Sequence, residues 1–239
     1  MVLVAGAFAA YPSLPEPASF ALATVLAVAA VVAAATRRGS VAAVATLCGA
    51  TEAACLVPPL RGLYPLPLAL ALAASAAVTL ALEGRSGFRW LRAGTWNRSV
   101  AAWTLLVVLL SAAGLLVGAR LAHGVVPRLA LPQLPPLGLG AGVLGWSAVN
   151  AAAEELAFRG ALLHALEVSL EARLAILVQA AAFGAMHLPV APGGWTGCAL
   201  VAGFAVMAAL LRRRSGGLLA PWIAHAAADV VMLAIRLGA

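Results

Sequence analysis

The stretch Gly138–Leu166, GLGAGVLGWSAVNAAAEELAFRGALLHAL, decides how this chain is read, because two adjacent carboxylates, Glu154 and Glu155, stand in the middle of an apolar run long enough to cross a bilayer. A charged side chain held in hydrocarbon costs several kcal/mol unless it is paired or faces a polar cavity, so an intramembrane Glu-Glu pair points to a functional site. Two further apolar segments downstream each carry one histidine, in Phe183-Gly-Ala-Met-His187 and in His225-Ala-Ala-Ala-Asp229. Polar residues are scarce in this half of the chain, and the scarce ones cluster.

Composition agrees with a membrane origin. Across 239 residues the hydrophobic share is 64% and the charged share 10%, where soluble domains carry about 25% charged residues. Mean hydropathy is +1.04. The formal charge of +7 does not suggest nucleic acid, because the basic residues fall in small groups of one to three between apolar runs and read as topology determinants. All 15 basic residues are arginine, which together with the alanine-rich runs looks like a GC-rich bacterial coding bias. Cys48, Cys55 and Cys198 lie in apolar segments without CxxC spacing and read as small core residues. The first ten residues hold no basic n-region, so a cleaved signal peptide is not expected.

At about 20 apolar residues per span, eight segments emerge: Ser19–Thr36, Val41–Leu60, Leu63–Leu82, Val100–Gly118, Gly138–Leu166, Ala172–Leu188, Gly197–Leu211 and Gly217–Ile235. The fold class is therefore all-α, a polytopic bundle in one membrane domain, with residues 138–239 as its catalytic core and four less characteristic spans in residues 1–137. Arg85, Arg89 and Arg92, interleaved with Phe88, Trp90 and Trp96, predict a short surface helix over Gly84–Arg98. Pro127, Pro132, Pro135 and Pro136 predict an extended connection before the fifth segment. Arginines alternate between rich and poor connections, and the positive-inside rule then puts both termini outside the cytoplasm.

Helical spacing sorts the polar residues. Glu155 and Arg159 are i,i+4 with the acid first, the favoured order for an ion pair. Glu154 is rotated about 100° away, so Arg159 serves Glu155 and Glu154 is left without a cation. Asn150 and Phe158 lie on the Glu154 face, where Asn150 can orient the carboxylate. The turn between segments five and six lies about 16 residues after Glu154 and about 17 before His187, which brings the two to one depth in an antiparallel pair. Phe183 lies one turn below His187 as an aromatic floor, on a stripe shared with Gln179. His225 and Asp229, again i,i+4, complete a set of two imidazoles and two carboxylates. His123 and His164 fall outside it, and Arg212-Arg213-Arg214 reads as an interfacial anchor.

Such a set permits two routes to amide hydrolysis. In one, Glu154 is a general base for water while His and Asp hold the developing oxyanion. In the other, Glu154, His187, His225 and Asp229 bind Zn²⁺. The metal-free route is the first choice, because no segment offers the i,i+4 His pair common in zinc sites.

The run Glu154-Glu155-x-x-x-Arg159, then Phe183-x-x-x-His187, then His225-x-x-x-Asp229 preceded by Ser215-Gly-Gly-Leu-Leu-Ala-Pro221, resembles the three motifs of the CPBP family of intramembrane proteases. That family includes the CAAX prenyl endopeptidases and a bacterial myxosortase-like branch. The resemblance implies a helical bundle with a water-filled cavity, in which Glu154 activates water with help from His187, His225 and Asp229 stabilise the oxyanion, and Glu155 and Arg159 support them. The last motif commonly ends in Asn where this chain has Asp229; an ionised Asp would repel an oxyanion, so this residue is expected to carry a proton, bind a metal or orient His225. The implied substrate is a membrane-anchored protein cut near its C-terminus in a bacterial cytoplasmic membrane. Two other classes compete: a non-catalytic membrane partner built on the same fold, and a proton-coupled transporter, which would show internal repeats that the chain lacks.

Overall fold

The computed structural model describes residues 16–61, 63–121 and 135–238, and it is helical with no strand among them. In chain order α1 is Glu16–Ala35, α2 Gly39–Cys55, α3 Leu66–Glu83 and α4 Arg98–Leu121. Helix α5 runs as Pro136–Glu154, loosens into a π-helical stretch Glu155–Leu162 and returns to α geometry over Leu163–Ser169; α6 is Ala172–Met186, α7 Gly194–Ser215 and α8 Leu219–Leu237. Four stretches are long and apolar enough to cross a membrane, Leu66–Phe88, Arg98–Arg120, Gly194–Ser215 and Leu219–Leu237, and shorter apolar helices cover Leu22–Ala35, Gly39–Cys55 and Ala172–Met186. Val25, Leu105, Leu109, Leu144 and Leu177 stand exposed on the outside of the bundle, the surface an integral membrane protein presents to lipid.

Local chemistry sets the helix limits. Pro136 opens α5 behind the extended Pro135, where a missing N–H is harmless. Asn97 accepts the Val100 N–H at 3.0 Å and so caps α4. Gly216 and Gly238 close α7 and α8 with φ of 73° and 80°, left-handed geometry that glycine adopts without strain. Close helix approach depends on small residues. A Cβ on Gly184 of α6 would meet the Cys198 carbonyl oxygen of α7 at 2.6 Å, and one on Gly160 would meet the Trp90 ring.

Two expectations need correction. The surface helix over Gly84–Arg98 is only a 3₁₀ turn, Gly84–Phe88. From residue 91 to 97 the chain has no regular structure and uses its backbone elsewhere: Leu218 and Leu219 donate to the carbonyls of Arg92 and Ala93, and Thr95 donates to that of Ser215. The seventh helix is longer than Gly197–Leu211, since Gly194–Ser215 takes in the three arginines; of these Arg212 is buried and pairs with Glu167 at 3.3 Å, while Arg213 and Arg214 are exposed at the helix end. His123, Pro127, Pro132 and the first ten residues lie outside the described residues.

The contacts place the helix ends in two groups. Gly39 abuts Glu83, Glu167 pairs with Arg212, and Thr95 bonds Ser215, so the starts of α2, α4 and α8 and the ends of α3, α5 and α7 share one end of the bundle. Arg85, Arg89, Arg92 and Arg212–Arg214 crowd there. The end of α2, residues 187–193 after α6 and the end of α8 lie at the other.

Candidate active site

A cavity of about 930 Å³ opens among α2, α4, α5, α6, α7 and α8. Its wall includes Glu154, His187, His225, Asp229, Asn150 and Phe183, so side chains predicted from three separate segments converge on one space. Each of the four titratable groups is at most 9% exposed.

Both glutamates contact His225 of α8. His225 Nδ1 donates to Glu155 Oε1 at 2.7 Å, and Nε2 lies 3.4 Å from Glu154 Oε2. With both ring nitrogens facing carboxylate oxygens, a doubly protonated ring satisfies both. Glu155 also meets Arg159 at 3.0 Å, as the i,i+4 spacing requires. The Arg159 nitrogens make no well-angled hydrogen bond, so the contact with Glu155 is an ion pair. Its guanidinium is further held over the Phe183 ring at 4.4 Å and the Phe204 ring at 5.4 Å. Arg159 is fully buried, and with its partner taken up by both a cation and an imidazole, Glu155 is a brace that fixes the tilt of His225.

Glu154 is not left unpaired. Tyr64, in the turn that leads into α3, donates its hydroxyl to Glu154 Oε1 at 2.5 Å. Nothing in the spacing around Glu154 announces a partner 90 residues away; the only signal is a polar-tipped aromatic in an otherwise apolar, proline-rich turn. Asn150 also departs from expectation. Although it lies one turn from Glu154, its Nδ2 donates to Asp229 Oδ2 at 2.9 Å, because Trp222 donates to the Ala148 carbonyl and pins α8 against this part of α5. Asp229 Oδ1 is 3.8 Å from His225 Nε2.

His187 sits just past the end of α6 rather than within it. Its Nδ1 donates to the Phe183 carbonyl at 2.9 Å, which leaves Nε2 as the acceptor of the neutral ring. Phe183 is the floor anticipated from its spacing, edge-on to His187 at 4.9 Å and to His225 at 5.8 Å. His164 does not line this cavity and borders a smaller apolar one. Of the cysteines, Cys48 is buried, whereas Cys55 is half-buried on the cavity wall and Cys198 is half-buried on α7.

The donor types would suit zinc. Among the described residues no three His, Cys, Asp or Glu side chains converge as a metal-binding group. Both histidines turn Nδ1 to protein acceptors and keep Nε2 toward the cavity, while Glu154 and Asp229 are each held by a side-chain donor.

Comparison with known proteins agrees with the motifs. Residues 136–231 match the family model described as type II CAAX prenyl endopeptidase Rce1-like. The match runs from the start of α5 into α8 and includes Glu154, His187, His225 and Asp229, but neither Tyr64 nor any residue of α1–α4. No curated protein and no solved structure matches the chain.

Proposed function

We propose that this chain, whose residues 136–231 match the family model described as type II CAAX prenyl endopeptidase Rce1-like, is an intramembrane endopeptidase that hydrolyses a peptide bond of a membrane-anchored protein inside the 930 Å³ cavity. The observation that carries this reading is the placement of His225 between Glu155, which braces it, and Glu154, which Tyr64 orients.

The chain's own groups supply the steps without a metal. A water held between the Glu154 carboxylate and His187 Nε2 gives a proton to Glu154 as its oxygen attacks the substrate carbonyl. Negative charge then develops on the carbonyl oxygen. Once Glu154 is protonated it attracts His225 less, and the Nε2–H of His225 turns to the oxyanion. Glu154 returns its proton to the leaving nitrogen, the C–N bond breaks, and an acid and an amine leave. Asp229, fixed by Asn150, lies on the other side of His225 and keeps that ring over the carbonyl.

Topology bears on the substrate. The cavity wall draws on Leu56, Tyr64, Val190, Pro192 and Arg236, at the end of the bundle remote from the arginine cluster. With the arginine-rich end in the cytoplasm, the cavity opens to the far side of a bacterial cytoplasmic membrane, and the substrate is an exported protein still held by an anchor near its C-terminus. The lysine-free, alanine-rich composition fits a bacterial source.

The test is hydrolysis of membrane-anchored peptides by the purified protein in liposomes, with Glu154→Gln as the control. Cleavage by the wild type that the variant lacks supports the reading; a folded wild type that cuts no peptide in a broad anchored panel refutes it in favour of a binding role.

A further inference from the structure

Glu52, on the last turn of α2, lines the same cavity and is only 2% exposed. Neither of its carboxylate oxygens has a hydrogen-bond donor among the described residues. The other two acids of the cavity wall are held, Glu154 by Tyr64 and Asp229 by Asn150. A buried carboxylate without a partner is one of the costliest groups a protein can keep, and the mechanism above gives Glu52 no task. Among the described residues no cation pairs with Glu52, and the cavity that it lines is the space proposed for the substrate.

We infer that Glu52 is a specificity site of the cavity, where a lysine or arginine side chain of the polypeptide substrate docks near the scissile bond. The inference rests on the endopeptidase reading for the identity of the ligand as substrate. Charge favours it, since the described wall carries the carboxylates of Glu52, Glu154 and Asp229 against Arg236 and a His225 ring that Glu154 and Glu155 already engage. Burial favours it too: substrate cation and Glu52 are each expensive to desolvate alone, and each removes the other's cost by pairing in a water-poor cavity. A pocket for an apolar side chain would need only residues such as Leu56, Leu115 and Met207, which the wall already provides.

The experiment uses the full chain in liposomes and lipid-anchored fluorescent peptides in which one lysine, or glutamine in its place, is walked through the residues flanking the scissile bond. At one position lysine should raise kcat/KM about tenfold or more over glutamine. Glu52→Gln should erase that ratio, Glu52→Asp should weaken it, and Glu52→Arg should turn the preference toward glutamate. A wild type indifferent to lysine at every position, or a lysine preference that survives Glu52→Gln, overturns the inference while leaving the endopeptidase reading intact. If no peptide is cut, the endopeptidase reading fails by itself, and peptide binding by fluorescence anisotropy decides the role of Glu52. Tighter binding of the lysine peptide that Glu52→Gln abolishes supports the site, and equal binding overturns it.

Discussion

Tyr64 donates its hydroxyl to Glu154 at 2.5 Å, joining the turn before α3 to the middle of α5 across 90 positions of sequence. The bond ties the first half of the chain, which lies outside the family match, to the carboxylate on which the proposed chemistry depends. It uses one lone pair of Oε1 and leaves Oε2 turned to His225 at 3.4 Å. The carboxylate is thereby held in one rotation, with its second oxygen on the side where water would be activated.

Tyr64→Phe keeps the ring and removes only this donor. A hydrogen bond to a charged group contributes about 1.5–3 kcal/mol, so kcat should fall about 10- to 100-fold if that bond orients the base. Because the hydroxyl acts through Glu154, KM should change little. Steady-state kinetics separate the two parameters, and equal kcat for wild type and Tyr64→Phe would remove Tyr64 from the mechanism.

Glu154→Gln and His187→Ala should each abolish hydrolysis in protein that remains folded. General-base groups contribute about 10²- to 10⁴-fold, and neither substitution disturbs the Glu155–Arg159 pair that supports the helix. Turnover near that of wild type in Glu154→Gln would make the base assignment wrong. Thermal melting in detergent checks that the loss is chemical.

Arg159→Ala should act mainly on folding. It removes the cation from the buried Glu155 and the guanidinium from between the Phe183 and Phe204 rings. Breaking a buried pair from one side costs about 3–5 kcal/mol, enough to lower the yield of folded protein severely. Normal expression and melting of Arg159→Ala would count against this pairing.

Much of the site is legible in sequence because its parts are local. The i,i+4 spacings of Glu155 with Arg159 and of Phe183 with His187 survive folding as an ion pair and an edge-on ring contact. Apolar runs locate the helices, since a run of span length has few alternatives to a helix in lipid. What spacing misses are partners in trans. Asn150 has the right face for Glu154, yet α8 packs close enough to offer Asp229 instead. Tyr64 and Glu52 are single polar residues in the less characteristic half, and only the packing of α2 and α3 against α5 gives them a site to face. The segment from residue 91 to 97 carries a basic amphipathic pattern but forms no helix, because backbone pairing with the turn before α8 outweighs a lone surface helix.

Asp229→Asn tests whether a carboxylate is needed at this position. In the structure Asp229 accepts from Asn150 at 2.9 Å and stands 3.8 Å from His225. An Asn side chain can keep the first contact through its carbonyl oxygen and place its amide beside the substrate oxygen, so activity should be preserved or raised. Loss of all activity in folded Asp229→Asn would show that a carboxylate is required there, either to orient His225 or to bind a metal.

Chelation is the independent test of the chemistry. The potential ligands Glu154, His187, His225 and Asp229 are each engaged with protein partners, through Tyr64, the Phe183 carbonyl, Glu155 and Asn150 respectively. A resident zinc would need at least three of them on one point; the histidines could offer Nε2 with their Nδ1 bonds intact, but Glu154 and Asp229 would have to turn from the Tyr64 and Asn150 donors that now fix their directions. The purified protein should therefore hydrolyse anchored peptides at an undiminished rate after exhaustive treatment with a chelator, and elemental analysis should find zinc well below one atom per chain. Should stoichiometric zinc be found, with activity lost on its removal and regained on its return, the glutamate mechanism would give way to a metalloprotease. The hydrogen bonds drawn above would then describe only the metal-free state. Tyr64→Phe distinguishes the two cases a second time: it lowers kcat in the glutamate mechanism, whereas in a zinc enzyme it would release Glu154 toward the ion and strengthen metal retention, which titration with a competing chelator would read directly.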